Sequence, residues 1–197
     1  MPRVGLSTDR VVEEAELMAD EVGLTNFTLT TLAERLGVRQ PSLYKHIDGM
    51  ADLQRQIMLR AKIELADTLR RAAVGRSRGD AVVAISHAYR QWAHEHPGRY
   101  ESVHRSPAPG DREDGEASWG VVQVCIDVMD GFKLHEDEAI DAIRAIRASI
   151  HGFVTLETGG GFSLPANIDR SFDRLVEGLV AAFTNWKHET PCSKARK

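Results

Sequence analysis

Residues 28–47, TLTTLAERLGVRQPSLYKHI, decide the fold of this 197-residue chain. Apolar side chains recur at helical spacing over residues 29–36, and Gly37 ends that helix. A second short helix is predicted over residues 40–46, because Pro41 in its first turn costs no hydrogen bond. The apolar positions that can pack these helices together are Leu32, Ala33, Leu36, Val38 and Leu43. Two short helices joined by a glycine turn have the spacing of a helix-turn-helix.

The second helix of such a motif enters the major groove of DNA, and its polar residues suit that position. Gln40 can pair with adenine through two hydrogen bonds, and Ser42 is short enough to approach a base edge or a phosphate. Arg39 precedes the helix, while Tyr44, Lys45 and His46 can hold phosphates. The spacing alone leaves a purely structural role open, because glycine-linked short helices also occur in folds that bind no DNA. In that case Tyr44 would be a half-buried core residue.

The charge distribution favours the same segment as a phosphate-facing surface. The whole chain has a net charge of −4, which is unusual for a nucleic-acid-binding protein. Residues 28–60, however, carry five basic and three acidic side chains, whereas residues 1–27 carry two basic and six acidic ones. Any surface that meets phosphates should therefore lie between residues 28 and 60.

The rest of the chain shows helical periodicity and almost no strand-like alternation, which predicts an all-α protein of about nine helices. The predicted helices span residues 8–22, 29–36, 40–46, 50–73, 80–94, 97–104, 116–129, 136–158 and 168–185. We expect a helix-turn-helix domain over residues 1–49, joined by the long fourth helix to a ligand-binding and dimerisation domain over residues 50–187. Residues 188–197 are expected to form a flexible tail.

Composition narrows the class of protein. Hydrophobic residues make up 42% of the chain and charged residues 27%, so a globally disordered or low-complexity protein is excluded. No apolar run approaches the roughly 20 residues that span a bilayer, and the first residues lack a signal-peptide core. Cys125 and Cys192 form neither a disulfide framework nor a metal-ligand spacing. These features predict a soluble, cytoplasmic protein with no membrane partner.

No catalytic site, metal site or cofactor is predicted. His94 and His96 are two residues apart, so a helix does not place them on one face. The adjacency of Ser86 and His87 is not triad geometry. The glycines of residues 159–161 lack the lysine and hydroxyl residue of a phosphate-binding loop. A small all-α enzyme therefore has no coherent set of residues in its favour.

The segment LAERLGVRQPSLYKHI resembles the DNA-binding segment of the TetR family of transcriptional regulators. The matching positions are Leu32, Ala33, Gly37, Val38, Leu43, Tyr44, His46 and Ile47. Together the pattern and the resemblance give the candidate DNA-binding residues Thr28, Thr30, Arg39, Gln40, Pro41, Ser42, Tyr44, Lys45 and His46. The family usually has a phosphate-binding lysine where this chain has Met50, and Arg55 is the candidate to replace it. Thr30 stands where the family's tetracycline repressor has a base-reading arginine, so the operator sequence is not carried over.

The resemblance also implies a function and a partner for the remaining helices. It implies a homodimer, paired through the last two helices, that binds a palindromic operator and is released by a small molecule, most often as a repressor. The predicted dimer stripe is Phe172, Leu175, Val176, Leu179 and Phe183, for which an ordinary intrachain core is the open alternative. The predicted ligand pocket contains Tyr89, Trp92, Tyr100, Trp119, Gln123 and His151.

The C-terminal half also resembles a subgroup with a Trp-His-Gly-like signature around His151. A dimeric interaction protein, whose degenerate helix-turn-helix no longer binds DNA, remains the alternative function.

Overall fold

The structure is a computed structural model that describes residues 5–186, and the all-helical fold class is confirmed. Within those residues there are nine helices and no strand. They are α1 (Thr8–Val22), α2 (Leu29–Arg35), the 3₁₀ helix η1 (Gln40–Lys45), α3 (Met50–Ala73), α4 (Arg78–Glu95), α5 (Pro97–Ser102), α6 (Arg112–Asp130), α7 (Glu136–Thr158) and α8 (Ile168–Thr184). None of the helices between residues 5 and 186 has the length and apolar content that crossing a bilayer needs. The predicted flexible tail, residues 188–197, lies outside the described residues.

The largest error in the predicted helix bounds is at α6. The sequence predicts a loop up to residue 115, whereas α6 begins at Arg112. Asp111 supplies the missing start signal, because its carboxylate accepts a hydrogen bond from the backbone N–H of Asp114 over 3.1 Å. The backbone carbonyl of Asp111 then accepts the N–H of Gly115 over 3.0 Å. Because this stretch is rich in glycine and proline, its sequence favours a turn over a helix cap.

Contacts divide the chain into two compact units. Among the described residues, the first unit contains residues 5–71 and 88–121, and the second contains residues 72–87 and 122–186. The predicted functional boundary between residues 49 and 50 stays a prediction.

The helix-turn-helix has its own apolar core in the first unit. The buried side chains of this core are Val11, Val12, Ala15, Met18, Ala19, Phe27, Leu29, Leu32, Ala33, Leu43, Ile47, Leu53 and Ile57. They come from α1, α2, η1, the first two turns of α3 and two connecting residues, Phe27 and Ile47, so α3 is anchored where it begins. Ser7 caps α1 by accepting a hydrogen bond from the backbone N–H of Arg10 over 3.2 Å. This core fixes the backbone from which η1 projects.

The short helix α5 packs directly against α1 in the same unit. A Cβ atom on Gly98 would lie 1.9 Å from the carbonyl oxygen of Ala19, so only glycine permits this approach. The next residue, Arg99, donates from its backbone N–H and its Nε to the carboxylate of Asp20 over 2.9 and 2.8 Å. Arg99 also forms an ion pair with Glu64 of α3. Charge pairs and a close backbone contact therefore hold α5 to the helix-turn-helix.

A buried ion pair joins α3 to α6 in the first unit. The Lys62 and Asp114 side chains are only 3% and 5% exposed and form a salt bridge. The Lys62 ammonium also donates to the carbonyl oxygen of Arg105 and to Oγ of Ser118, both over 3.0 Å. All three of its N–H groups therefore have acceptors, which burial of an ammonium requires.

In the second unit, most of the stripe predicted on the last helix packs within the chain. Phe172, Val176 and Phe183 are 0–2% exposed in the single chain. The Phe172 ring makes edge contacts with Phe153 and His87 at centroid distances of 5.1 and 5.2 Å. For these three residues the structure therefore supports the core alternative. Leu175 and Leu179 are half-buried, and a partner contact is kept as a prediction for them.

Candidate nucleic-acid interface

Both ends of α2 are fixed by local hydrogen bonds that the sequence encodes. Thr28 and Thr31 form a capping box, in which each side-chain oxygen accepts the other residue's backbone N–H over 3.2 and 3.0 Å. At the other end Gly37 has φ +67°, a left-handed conformation that favours glycine. The N–H of Val38 then donates to the carbonyl of Ala33 over 2.9 Å, which closes the helix as a Schellman motif. The turn before η1 is therefore tightly defined.

The helix η1 divides its residues between a buried side and an exposed side. Leu43 is fully buried and Ile47, just after the helix, is 3% exposed, so these two residues anchor it. Tyr44 on the other side is 55% exposed, which makes the alternative of Tyr44 as a core residue wrong. Arg39, Pro41 and Lys45 are also exposed, while Gln40, Ser42 and His46 are half-buried. All the candidate recognition residues of this segment are thus at least partly accessible to solvent.

Two side-chain hydrogen bonds cross between elements at this surface. The Thr30 hydroxyl on α2 donates to Oε1 of Gln40 over 3.0 Å. The Thr8 hydroxyl on α1 donates to the carbonyl oxygen of His46 over 3.3 Å. The first of these bonds brings together two of the candidate residues, which are ten positions apart in the chain.

Three of the five basic residues predicted for this region are held by acidic partners. The Arg35 guanidinium binds the carboxylates of Glu14 and Glu21 over 2.6 and 2.7 Å, and these bonds raise the pKa of Arg35. Arg60 lies 3.0 Å from Oε1 of Glu16. Fewer basic side chains are therefore available to meet phosphates than the sequence predicts. Of the five, Arg39 and Lys45 are the exposed ones that remain.

Arg55, the candidate to replace the lysine at the start of the fourth helix, is held by two acidic side chains. Its guanidinium pairs with the carboxylates of Asp111 and Glu113 over 2.9 and 2.8 Å. Both carboxylates raise the pKa of Arg55, and the Arg55 guanidinium holds the pKa of Asp111 below its ordinary value. Met50 packs against the helix-turn-helix core. A phosphate contact by Arg55 therefore stays a prediction, and it would require the guanidinium to leave these carboxylates.

The six predicted pocket residues fall into different environments. Tyr89, Trp92 and Tyr100 lie in the first unit, where Tyr89 and Tyr100 make an edge contact at a centroid distance of 5.8 Å. Trp92 is 2% exposed, and among the described residues its indole N–H is buried with no hydrogen-bond acceptor. Trp119, in contrast, is 57% exposed. An open, charged groove of about 390 Å³ in the same unit includes Glu64 and Arg71 in its lining but none of the six.

Gln123 and His151 belong to the second unit. The Gln123 amide donates to the carboxylate of Asp127 over 2.8 Å. Burial, with a smaller contribution from the charge of Arg147, lowers the pKa of His151. Burial likewise raises the pKa of the Cys125 thiol to about 11, so it is a poor nucleophile at neutral pH.

The residues whose sequence positions resemble a catalytic or metal-binding pair make other contacts in the structure. The Ser86 hydroxyl donates to the carbonyl oxygen of Val82 over 2.7 Å, while Nε2 of His87 lies 3.2 Å from the carboxylate of Asp173. His96 contacts the Asp20 carboxylate at 3.3 Å. In the part of the chain that the structure describes, no three His, Cys, Asp or Glu side chains are grouped to hold a metal ion.

The chain is similar in sequence to several known proteins. Residues 82–179 match the family model described as tetracyclin repressor-like, C-terminal domain. The chain is 38% identical to the uncharacterised HTH-type transcriptional regulator Rv0681 of Mycobacterium tuberculosis over 177 residues, which cover 89% of this chain and 81% of that protein. It is 31% identical to the uncharacterised HTH-type transcriptional regulator YobS of Bacillus subtilis, covering 91% and 94% of the two chains.

The fold matches solved structures as well. A TetR variant from Acinetobacter baumannii, crystallised in complex with minocycline, aligns with a TM-score of 0.68 and 22% identity. The alignment covers 91% of this chain and 97% of that one. At this level of identity the likeness shows the shared fold.

Proposed function

The chain belongs to the TetR family of transcriptional regulators, and from that premise we propose that it is a repressor that binds a palindromic operator as a homodimer and is released by a small molecule. Its relatives are helix-turn-helix transcriptional regulators, so it is a DNA-binding regulator and not an enzyme. The observation that carries the proposal is the accessible surface of η1, with Tyr44 exposed while Leu43 anchors the helix. We expect the protein to act in the cytoplasm, where its operator would lie.

Within the proposed interface, side chains divide between holding phosphates and reading bases. Arg39 and Lys45 are exposed cations at the two ends of η1, and hydrogen bonds from such groups to phosphates position a protein without reading sequence. Gln40 has an amide that can pair with adenine through two hydrogen bonds. Ser42 is half-buried next to it and can reach a base edge or a phosphate. We therefore assign sequence preference chiefly to Gln40.

The proposed dimer uses the outer surface of the last two helices. Leu175 and Leu179 of α8 are half-buried in the single chain, and Ile140 and Leu156 of α7 are 44% and 52% exposed. Burying such apolar side chains against a second copy would remove them from water. A two-fold dimer would also present two η1 helices to half-sites about one turn of DNA apart.

The proposed effector would be recognised by the aromatic residues of the first unit. The buried indole N–H of Trp92 lacks an acceptor among the described residues, and an effector with a hydrogen-bond acceptor would satisfy it. Tyr89 and Tyr100 add apolar ring surface. An effector can release DNA only if it binds one state of the protein more tightly than the other.

The first experiment is a selection of random double-stranded DNA by the purified protein, read by sequencing. The proposal expects a palindrome, whose affinity falls steeply as salt rises. Tyr44→Ala should weaken binding to all sequences alike, whereas Gln40→Ala should relax the preference at one base pair, at a cost of about 1–3 kcal/mol. Equal losses from both variants on every DNA would contradict this division of roles.

A second candidate is an interaction protein whose helix-turn-helix no longer binds DNA. Two observations favour it, because both reduce the positive charge available to phosphates. Acidic partners bind three arginines, Arg35, Arg55 and Arg60, and Met50 stands in place of a lysine. This candidate expects no enriched sequence and no binding to DNA even at low salt.

A further inference from the structure

Two candidate recognition residues are already bonded to each other in the free protein. Thr30 is the second residue of α2, Gln40 is the first residue of η1, and the Thr30 hydroxyl donates to Oε1 of Gln40 over 3.0 Å. The helices that carry them are anchored by Leu32 and Leu43, both fully buried. The backbone positions of the pair are therefore set by the core, and the hydrogen bond adds a restraint on the Gln40 side chain.

That restraint matters because of what adenine recognition requires of a glutamine. The amide oxygen must accept from N6 of the base while the amide N–H donates to N7, so the amide must face the groove in one orientation. A glutamine on a surface otherwise samples many rotamers, and ordering it on binding costs entropy. Oε1 has two lone pairs, so accepting the Thr30 proton leaves one lone pair and both amide hydrogens for the base.

We propose that Thr30 is a positioning residue that orients the Gln40 amide and thereby sets the base preference at the position Gln40 faces. This inference rests on the proposed function, since it concerns how the same surface reads DNA. Thr30 acts through Gln40 and contacts no base itself. Its effect should consequently be confined to one base pair in each half-site and should disappear when Gln40 is absent.

The test uses four variants of the full chain and a control. Thr30→Val removes the hydroxyl with little change in shape, Thr30→Ser retains it, and Gln40→Ala and the double variant Thr30→Val/Gln40→Ala complete a cycle. Thr25→Val is the matched control, because Thr25 is an exposed threonine outside the pair. The wild-type operator is first selected from random DNA, and the base pair whose preference Gln40→Ala relaxes is called the Gln40 position. Kd is then measured on the operator, on its three single-base-pair substitutions at that position, and on unrelated DNA.

Thr30→Val is expected to reduce discrimination at the Gln40 position by about threefold to tenfold, the usual weight of one hydrogen bond. Its Kd for unrelated DNA should stay within about twofold of wild type, because phosphate contacts are unchanged. Thr30→Ser and Thr25→Val should keep the wild-type preference. In the Gln40→Ala background, Thr30→Val should have no further effect on discrimination.

Three results would overturn the inference while leaving the proposed function intact. Thr30→Val could leave the preference unchanged, could alter a different base pair, or could act equally in the Gln40→Ala background; the last two would mean that Thr30 contacts DNA itself. A wild-type protein that selects no sequence overturns the proposed function and this inference together. Far-UV circular dichroism of each variant separates a loss of preference from a loss of fold.

Discussion

The buried ion pair between α3 and α6 offers the sharpest test of the structure. Replacing Asp114 by alanine removes the carboxylate that binds the Lys62 ammonium, whose side chain is 3% exposed. The ammonium then retains two neutral acceptors, the carbonyl oxygen of Arg105 and Oγ of Ser118. A buried charge would be left without a directly bound carboxylate.

The size of the effect follows from that burial. Removing one partner of a buried ion pair costs about 3–5 kcal/mol, because the remaining charge is desolvated and uncompensated. We therefore expect Asp114→Ala to lower the free energy of unfolding by about this amount. The double variant Lys62→Met/Asp114→Leu should recover most of the loss, since it leaves no charge in the site.

Urea denaturation followed by tryptophan fluorescence, at one protein concentration, measures these differences. Asp67→Ala is the control, because Asp67 pairs with Arg70 at the surface, where the two side chains are 49% and 56% exposed. Loss of that pair should cost less than about 1 kcal/mol. The reasoning is refuted if Asp114→Ala is no more destabilising than Asp67→Ala, or if the double variant is as unstable as the single one.

Two further predictions concern α1. Gly98→Ala should lower the free energy of unfolding by at least about 1–3 kcal/mol, measured by thermal unfolding, because the new Cβ meets the Ala19 carbonyl at 1.9 Å. Gly115→Ala is the control: its Cβ meets open space within α6, so this variant should raise the free energy of unfolding by about 0.5–1 kcal/mol. Burial raises the pKa of Glu16 and outweighs the opposing attraction of Arg60. The ionised carboxylate therefore lowers the free energy of unfolding at neutral pH, and this loss disappears as pH falls through the pKa of the folded state. Glu16→Gln should therefore raise the free energy of unfolding at pH 7 more than at pH 4, and an equal gain at both pH values would contradict this account.

The sequence predicts the bounds of a helix correctly where residues within and next to that helix determine its two ends. The predicted bounds 50–73 and 136–158 coincide with α3 and α7. The start of α6 is less certain from sequence, because its cap, Asp111, lies in a stretch rich in glycine and proline where an aspartate equally favours a turn. The contact of Asp111 with Arg55, 56 positions earlier in the chain, is not encoded locally.

The candidate site divides in the same way. Helix-turn-helix spacing located η1 and its polar residues, since the alternation of anchors and exposed groups is a local property. The engagement of Arg35 with Glu14 depends on how α2 packs on α1, which composition does not encode. Periodicity on α8 predicted that Phe172 and Val176 are buried, but it could not specify whether their own chain or a partner covers them.

The charge pairs around α3 also limit how the protein can hold DNA. Met50 packs against the helix-turn-helix core and Arg55 is bound to Asp111, so the phosphate contacts that we propose fall chiefly to Arg39 and Lys45. A dimer would then neutralise about four phosphates, and log K should fall with log salt with a slope of about −3 to −4. A much steeper measured slope would mean that Arg55 leaves its carboxylates when DNA binds, or that residues outside the described range add contacts. A slope in the expected range would instead support a phosphate interface limited chiefly to Arg39 and Lys45.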